Sequence, residues 1–439
     1  MQLKRFKDIV AIEGLKGHPP LAFHARNLEV AALSPEAYAA MEETSLQSSL
    51  ASETLEANEA TEALLAWELE HNPEVKSGQV SYGIRSLTIN VTQVCNLHCK
   101  YCAAGGDGSF GDAVKKIAVE ETLPQLKFFL QKLKPHQNFH ITFLGGEPLL
   151  YPEAIQLIAD YVRLSLTGKE NTFTFSVVTN GTLFNEKTIA LLNNIQAQVT
   201  VSIDGPAEIN DITRPSKGQQ GSTEKIIAGL NLLFSNKNQI SSVGLSGVFG
   251  RNNLDFLKAY DFYRGFAADW FEFNYDYSET DPAINEAYMQ GMQQVMAKAY
   301  ALGGEEELRR IRQVDHYFEM LDNQQRVENF CGAGKSFLMM DARNQLYTCP
   351  WVVNQKDEVV GKPGDNLEDL EQKLAQYQAP LIQQNRCQSC WARFLCGGGC
   401  MFINKLKNDD KNKKDQQFCV RTRFLISQAL VYYHQCRAQ

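Results

Sequence analysis

The sequence predicts an α/β fold with a parallel sheet at its centre, and three observations support that prediction. Between about residue 85 and residue 301, short apolar runs alternate with longer helical patterns, which is typical of βα units. Polar motifs follow several of the predicted strands. The cysteines are concentrated in two groups, one directly after the first predicted strand of this region and one near the C-terminus.

The composition is that of a globular protein and argues against a nucleic-acid-binding protein or a membrane protein. The chain has 439 residues, of which 44% are hydrophobic and 21% charged, enough for two or three domains. The net charge is −8, so no global field attracts nucleic acid or an anionic membrane, and neither is expected as a partner. No uninterrupted apolar stretch reaches about 18 residues, so no membrane-spanning helix is expected.

Cysteine usage and the N-terminal residues predict a reducing compartment. Residues 1–8 lack the apolar segment of a signal peptide. The 11 cysteines of such a large chain suggest metal or redox chemistry rather than disulfides. We therefore expect a cytoplasmic location.

The pattern of apolar runs and helix signals in residues 1–80 predicts a small α+β region ahead of the parallel sheet. Short apolar runs that indicate strands lie at residues 8–12, 21–25 and 28–33. Ser34 and Pro35 then begin a helix, and a second helix covers about residues 53–70 before His71-Asn72-Pro73 ends it.

Six βα units follow. Strands are predicted near residues 86–92, 139–144, 172–178, 198–203, 242–248 and 270–275. Helices are predicted near residues 117–133, 152–166, 185–194, 221–236, 252–267 and 281–301. In barrels of parallel strands, the chemistry gathers at the C-terminal ends of the strands, and the polar motifs fall at those ends.

The first of these motifs is a loop with three thiols in eight residues, Cys95-Asn96-Leu97-His98-Cys99-Lys100-Tyr101-Cys102. Three cysteines can hold a [4Fe–4S] cluster and leave one of its four irons free to bind another molecule. A structural zinc site normally has four protein ligands. A zinc knuckle and buried free thiols remain the alternatives.

The spacing of Cys95, Cys99 and Cys102, with the aromatic Tyr101 before the last cysteine, resembles the radical S-adenosylmethionine (SAM) enzymes. In that family the open iron binds the amino and carboxylate groups of SAM. The resemblance implies a SAM-binding [4Fe–4S] cluster on the three cysteines, and a partial (β/α)6 TIM-like barrel.

Further motifs resemble the SAM-binding positions of this family. Gly145-Gly146-Glu147-Pro148 is similar to its GGEP motif, in which the glycines allow close approach and the glutamate accepts from an ammonium group. Asp204 offers acceptors to ribose hydroxyls, and the guanidinium of Arg214 suits the SAM carboxylate. Asn-Gly and Asp-Gly are often only turns, so the order of the motifs after successive strands carries the inference. The cofactor-binding residues implied are Tyr101, Gly145, Gly146, Glu147, Asn180, Ser202, Asp204, Arg214 and Val248.

The second cysteine group resembles the SPASM extension of radical SAM enzymes, which carries two auxiliary iron–sulfur clusters. The resemblance implies one [4Fe–4S] cluster on Cys387, Cys390, Cys396 and Cys419, and another on Cys331, Cys349 and Cys400. Two closed clusters need eight ligands, so the second has an open iron, a ligand other than cysteine, or Cys436. Asn344 stands where the pattern usually has glycine. A pair of zinc sites is the alternative.

The resemblance divides the chain into four segments. Residues 1–80 are similar to a leader-peptide recognition domain, which binds a peptide as an added strand at a sheet edge; a structural cap on the barrel is the alternative. Residues 81–280 form the radical SAM barrel, residues 281–330 a helical bridge and residues 331–439 the SPASM domain.

The function implied is that of a radical SAM oxidoreductase acting on a ribosomally made precursor peptide. Such an enzyme cleaves SAM reductively to a 5′-deoxyadenosyl radical, which abstracts hydrogen from the peptide. The motifs are most similar to enzymes that form a thioether, with a flavodoxin- or ferredoxin-type protein as the reductant. A carbon–carbon link, epimerisation, formylglycine formation and a non-enzymatic electron carrier are the alternatives, and no catalytic base is assigned.

Overall fold

The computed structural model describes residues 3–14, 19–44, 59–78, 83–102 and 114–438, and the chain divides into two compact units. Met1–Val80, Met292–Cys331 and Ala379–Gln439 form the first, here called the cysteine-rich unit. Ser81–Gly291 and Gly332–Gln378 form the second, the barrel unit. The four predicted segments with boundaries at residues 80, 280 and 330 stay a prediction.

The N-terminal part of the cysteine-rich unit is a five-stranded antiparallel sheet with the order β4-β3-β2-β1-β5. The three predicted strands and the helix begun by Ser34 are confirmed; residues 53–58 of the second predicted helix lie outside the described residues. The elements are β1 (Leu3–Phe6), β2 (Ile9–Ile12), β3 (Leu21–His24), β4 (Glu29–Ala32), α1 (Pro35–Ala40), β5 (Glu42–Thr44), α2 (Glu59–Leu69) and β6 (Lys76–Gly78).

The barrel unit contains six parallel strands that lie side by side in chain order. All six predicted strands are confirmed, and a helix follows each one. The elements are β7 (Ser86–Asn90), α3 (Val119–Gln131), β8 (Asn138–Leu144), α4 (Pro152–Leu166), β9 (Thr172–Thr179), α5 (Glu186–Asn194), β10 (Gln198–Ser202), α6 (Ala207–Thr213), α7 (Thr223–Ser235), β11 (Ser242–Phe249), α8 (Phe256–Arg264), β12 (Trp270–Tyr275) and the first residues of α9 (Pro282–Arg309). From Met292 onward, α9 belongs to the cysteine-rich unit, and it is kinked at Gly303 and Gly304.

The sheet continues past β7, which the sequence analysis did not predict. β14 pairs with β7 in parallel, and β15 and β16 follow in antiparallel pairing. This extension gives the edge of β7 backbone partners that it would otherwise lack. The elements after the barrel are α10 (Arg312–Asp322), β13 (Gln325–Val327), β14 (Phe337–Met340), β15 (Leu346–Tyr347), β16 (Val359–Gly361), α11 (Leu370–Leu374), α12 (Leu381–Gln384), α13 (Arg393–Cys396), α14 (Met401–Asn408) and α15 (Gln416–Arg437).

Alternation along the strands separates an apolar face from a polar face. In β8, Phe139, Ile141 and Phe143 are fully buried, whereas His140 and Thr142 between them are only half-buried. Successive side chains of a strand point to opposite faces. Among the described helices, none is long and apolar enough to cross a membrane.

Asn344 makes the turn between β14 and β15 in a left-handed conformation, with φ 59°. Its fully buried side chain accepts a hydrogen bond from the Thr122 hydroxyl at 2.6 Å and donates to the Ala118 carbonyl at 3.0 Å. Its own carbonyl accepts from the Gln125 amide at 2.9 Å. Asparagine tolerates this conformation better than most residues, and here its side chain also ties the turn to the start of α3.

We predict that Asn344→Ala lowers the free energy of unfolding by about 2–5 kcal/mol, because it removes buried hydrogen bonds and leaves alanine in a left-handed conformation. Asn344→Gly loses the same hydrogen bonds but relaxes the backbone, so the expected loss is smaller, about 1–3 kcal/mol. Chemical denaturation of both variants measures the difference. Equal losses would show that the backbone conformation is not costly here.

Candidate metal and cofactor centres

The three-cysteine loop follows β7 and is held against the segment after α6. The backbone N–H of His98 donates to the Pro215 carbonyl at 2.8 Å, and that of Lys100 donates to the Thr213 carbonyl at 2.9 Å. Cys95 is buried, while Cys99 and Cys102 are partly exposed. The loop therefore brings three thiols to the C-terminal end of the first barrel strand.

Gly145 and Gly146 allow close contact with the segment that leads into this loop. A Cβ on Gly145 would lie 2.6 Å from the Thr92 carbonyl oxygen, and one on Gly146 would lie 2.7 Å from the Cys95 nitrogen. The Gly146 N–H donates to Thr92 at 2.7 Å. The sequence analysis predicted close approach to a ligand; the structure shows close approach to the backbone of the cysteine segment.

Glu147 is fully buried and organises the end of β9. Its carboxylate accepts hydrogen bonds from the Thr179 hydroxyl at 2.7 Å, the Asn180 backbone N–H at 2.8 Å and the Leu149 backbone N–H at 3.0 Å. Burial raises the pKa of Glu147, and these hydrogen bonds oppose the rise. The Asn180 side-chain amide in turn lies 3.7 Å from the sulfur of Cys95, so Glu147 positions a polar group beside the first thiol.

Asp204 binds the cysteine loop to the neighbouring strand ends. Its fully buried carboxylate accepts from the Tyr101 hydroxyl at 2.6 Å, the Thr213 hydroxyl at 2.6 Å and the Val248 backbone N–H at 3.1 Å. Asn253 donates to the carbonyls of Asp204 and Val248 at 3.1 and 3.2 Å. Tyr101, Asp204 and Val248, predicted separately from the sequence, therefore meet in one network.

Arg214 completes this network and still has a donor available. One terminal guanidinium nitrogen donates to the Tyr101 hydroxyl at 2.8 Å. Burial lowers the pKa of Arg214, but nearby Cys99, Tyr101 and Asp204 outweigh burial and hold it well above its usual range. Its Nε is buried with no hydrogen-bond partner within the described part of the chain. A buried donor normally has a partner, so this guanidinium fits a site for an anionic ligand group.

Ser202 is the last residue of β10 and lies opposite Ser246 of β11. It is half-buried at the same strand end. The structure thus places every predicted cofactor-binding residue at the C-terminal ends of β7–β11 or in the loops that follow. The thiols and the unpaired guanidinium donor suit a thiolate-bound cluster with an anionic ligand beside it.

The second cysteine group lies mainly in the cysteine-rich unit. The thiol of Cys390 lies close enough to Cys387, Cys396 and Cys419 to contribute to the raised pKa of each of the three. Burial raises the pKa of Cys387 to about 11 and that of Cys396 to about 12. Gly397, Gly398 and Gly399 all have positive φ, 70°, 91° and 84°, so the chain after Cys396 follows a path that glycine favours.

Cys400 and Cys331 are neighbours within the same unit. Burial raises the pKa of Cys400 to about 11, and Cys331 contributes to the rise. Cys349 belongs to the barrel unit, and its predicted grouping with this pair stays a prediction. Cys436 lies beside Glu305, Arg309 and Arg437. In the described ranges, no three His, Cys, Asp or Glu side chains are arranged to hold a single metal ion.

The N-terminal sheet contacts the cysteine segment 387–396, which the sequence analysis did not foresee. Arg393 donates to the Asp8 carboxylate at 2.9 Å and to the Cys390 carbonyl at 3.1 Å. The rings of Phe23 and Trp391 meet edge to face with centroids 6.2 Å apart. Nothing in a single sequence reveals such contacts, because the partners lie more than 350 residues apart.

Comparison with known proteins identifies the class. Residues 89–263 match the family model described as "Radical SAM superfamily", and this range contains the three-cysteine loop and the Asp204 network. This part of the chain is therefore similar to the radical SAM enzymes, a family whose cofactors are a [4Fe–4S] cluster and SAM.

The more particular likeness is to maturation enzymes. The chain is 26% identical to the mycofactocin maturase MftC of Mycobacterium ulcerans, over 72% of this chain and 82% of that protein. It is 24% identical to a serine-type anaerobic sulfatase-maturating enzyme of Klebsiella aerogenes, over 70% and 76%. An uncharacterized protein of Methanocaldococcus jannaschii is 31% identical, but this match covers only 40% of this chain and 57% of that protein.

Solved structures share the fold. The structure named anSMEcpe with bound AdoMet and the Kp18Cys peptide superposes with a TM-score of 0.66 at 18% identity, covering 81% of this chain and 99% of that one. Streptococcus suis SuiB bound to its precursor peptide SuiA superposes with a TM-score of 0.53 at 12% identity, covering 95% and 99%.

We predict that Gly146→Ala displaces the cysteine loop, because the added Cβ would collide with the backbone of Val94 and Cys95. Anaerobically reconstituted protein should lose most of the iron and sulfide bound by the first motif. That amount is the difference between the wild type and a Cys95→Ala, Cys99→Ala, Cys102→Ala triple variant.

Gly218→Ala is the matched control, since the nearest atom to its Cβ would be Ser216 Oγ at 3.9 Å. This variant should keep its iron. Equal loss in both glycine variants, or full retention by Gly146→Ala, would contradict the prediction.

We predict that Arg214→Met lowers the affinity for SAM about tenfold to a hundredfold, as expected for the loss of a hydrogen bond to a charged group. Calorimetric titration of reconstituted protein with SAM measures it. Arg163→Met, on the exposed side of α4, removes the same charge elsewhere and should bind SAM normally. Unchanged affinity in Arg214→Met would mean that this guanidinium does not contact the cofactor.

Proposed function

We propose that this protein is a radical SAM maturase that installs a thioether crosslink in a ribosomally made precursor peptide. The single observation that carries the proposal is the Tyr101–Asp204–Arg214 network, which joins the three-cysteine loop to the strand ends and leaves one buried guanidinium donor unsatisfied. The similarity to a mycofactocin maturase and a sulfatase-maturating enzyme, and to the fold of SuiB bound to its precursor peptide, supports this substrate class.

Cys95, Cys99 and Cys102 would hold the cluster, and Arg214 would bind the SAM carboxylate. When bound, the cluster and SAM supply a 5′-deoxyadenosyl radical that can take hydrogen from an unreactive carbon. The protein's own task is to fix the geometry. Tyr101 and Thr213 hold the Asp204 carboxylate, Glu147 holds Asn180, and both carboxylates are buried away from water.

The cysteine-rich unit would carry auxiliary iron–sulfur chemistry. Cys387, Cys390, Cys396 and Cys419 would form one closed cluster site, supported by the mutual effect of their thiols on one another. The pair Cys331 and Cys400, with Cys349 as a third ligand, would hold the other, whose fourth iron would be open or bound by a ligand other than cysteine. An open iron could bind a substrate thiolate.

The N-terminal sheet would recognise the leader of the precursor peptide. Its edge strands are β4 and β5, and a peptide can extend a sheet at an edge through backbone hydrogen bonds. The electron would come from a flavodoxin- or ferredoxin-type reductant, which suits a cytoplasmic location.

A thioether is proposed over formylglycine formation because Pro350 follows Cys349. The sulfatase-maturing branch is expected to place an aspartate base at that position. A carbon–carbon crosslink and epimerisation are the remaining outcomes for the same substrate class, and product analysis separates them.

We predict that co-expression with a short cysteine-containing peptide encoded beside this gene gives a peptide that has lost two hydrogens per crosslink and one alkylatable thiol per bond. Cys95→Ala should abolish the change. Cys436→Ala removes a thiol that lies beside Glu305 and Arg309 and should leave it intact. Mass spectrometry before and after alkylation gives both readouts.

Other outcomes contradict the thioether in distinct ways. Loss of two hydrogens with every thiol retained indicates a carbon–carbon link, and deuterium uptake without a change in hydrogen count indicates epimerisation. A hydrazide-reactive carbonyl indicates formylglycine. If SAM is not cleaved with or without the peptide, the proposed enzyme function fails altogether.

A further inference from the structure

The parallel strands of the barrel unit carry a polar face opposite their apolar one. This face is marked by Thr142, Ser176, Thr200, Ser202, Ser246 and Glu272, which are half-buried while their neighbours in sequence are buried. Hydroxyl and amide groups dominate it. Glu272 is the only acidic residue among these six positions.

The Glu272 carboxylate is fixed in place by neutral donors. Its Oε2 accepts a hydrogen bond from the Ser246 hydroxyl at 3.0 Å and from the Asn274 side-chain amide at 3.0 Å. Asn274 also donates to Ser246 at 2.9 Å. The three groups therefore hold one another, and the other carboxylate oxygen is not used in this set of bonds.

No positive charge of the described chain compensates this carboxylate. Within the residues that the structure describes, no lysine, arginine or histidine forms an ion pair with Glu272. Removing a charge from water is costly unless the charge is both paired and hydrogen-bonded. The Glu272 carboxylate is therefore held in one orientation by neutral donors and has no cationic partner among the described residues.

The strand register places Glu272 at the level of the predicted SAM site. Ser202 lies opposite Ser246 and Ser246 lies opposite Glu272, so Glu272 is two strands, or about 10 Å, from Ser202. Trp270 points to the same face, two residues earlier on β12. A Cβ on Gly244 would collide with its indole ring, so the ring lies over β11 at Gly244, two residues before Ser246.

We propose that Glu272 holds a cationic side chain of the substrate peptide, a lysine or an arginine, beside the SAM site. The inference rests on the proposed peptide-modifying function and adds a substrate requirement to it. The carboxylate supplies the ion pair, and the indole of Trp270 supplies an aromatic surface of the kind that attracts ammonium and guanidinium groups. Glu272 is a positioning residue and takes no part in bond breaking.

Selection from a displayed library of random dodecapeptides tests this, using anaerobically reconstituted full-length protein with SAM bound. Because the chain carries a net charge of −8, the selection is run in about 0.5 M salt, where surface charges are screened within about 4 Å. Wild type should enrich lysine or arginine at one position about tenfold, and Glu272→Gln should leave that position within about twofold of the input library.

Glu224→Gln, on the exposed side of α7, removes the same charge and should select like the wild type. Thermal unfolding of each variant shows that it is folded. If Glu272→Gln enriches cations as the wild type does, or if wild type selects peptides without regard to charge, the inference is overturned while the proposed function stands.

A loss of SAM affinity in Glu272→Gln, measured by calorimetry without peptide, would assign the carboxylate to the cofactor and overturn the inference in the same way. Retention of no peptide by the wild type would overturn the proposed peptide substrate and the inference together. The outcomes therefore distinguish failure of the inference about Glu272 from failure of the proposed function.

Discussion

The buried carboxylate of Asp204 is the constraint on which the rest of the proposed SAM site depends. Fully removed from water, it must receive hydrogen bonds, and its donors come from the cysteine loop, from the last residue of α6 and from β11. Leaving any of them unmade would cost about 1–3 kcal/mol or more, since the acceptor is charged. The hydrogen bond to Asp204 therefore fixes the position of Tyr101 relative to the sheet. The thiols of Cys99 and Cys102, which flank Tyr101 in the sequence, are positioned with it. The Tyr101 hydroxyl also accepts a hydrogen bond from the Arg214 guanidinium, which brings a positive charge near the Asp204 carboxylate. The Nε of Arg214 stays buried without a hydrogen-bond partner among the described residues.

Much of this could be predicted from the sequence because strong periodicity specifies both strands and their order. All six parallel strands were predicted, and the motifs fall at their ends as the fold requires. The contacts between motifs could not be predicted. Tyr101 and Asp204 are 103 residues apart in the sequence, and local patterns carry no information on contacts at that distance. The contact of Gly146 with Val94 depends on the path of a loop, which periodicity does not specify. The added strand β14 was missed because a four-residue apolar run has no periodicity that separates it from loop.

The cysteine-rich unit is stabilised by a different kind of interaction. Asp8 forms ion pairs with Arg26 at 3.0 Å and with Arg393 at 2.9 Å, and the side chain of Arg393 is 8% exposed. Breaking a buried pair by removing one partner is strongly destabilising, because the remaining charge stays buried. The ion pair between Asp8 and Arg393 thus links the N-terminal sheet to the segment Cys387–Cys396.

The two faces of the barrel sheet divide stability from chemistry. The apolar face, with Phe139, Phe143 and Phe175 almost entirely buried, supplies hydrophobic stabilisation of about 1.5–3 kcal/mol for each such side chain. On the polar face, the neutral partners Ser246 and Asn274 orient the Glu272 carboxylate without neutralising it. The proposed cofactor residues lie at the strand ends, so a side chain further along this face could contact a bound substrate without displacing the cofactor.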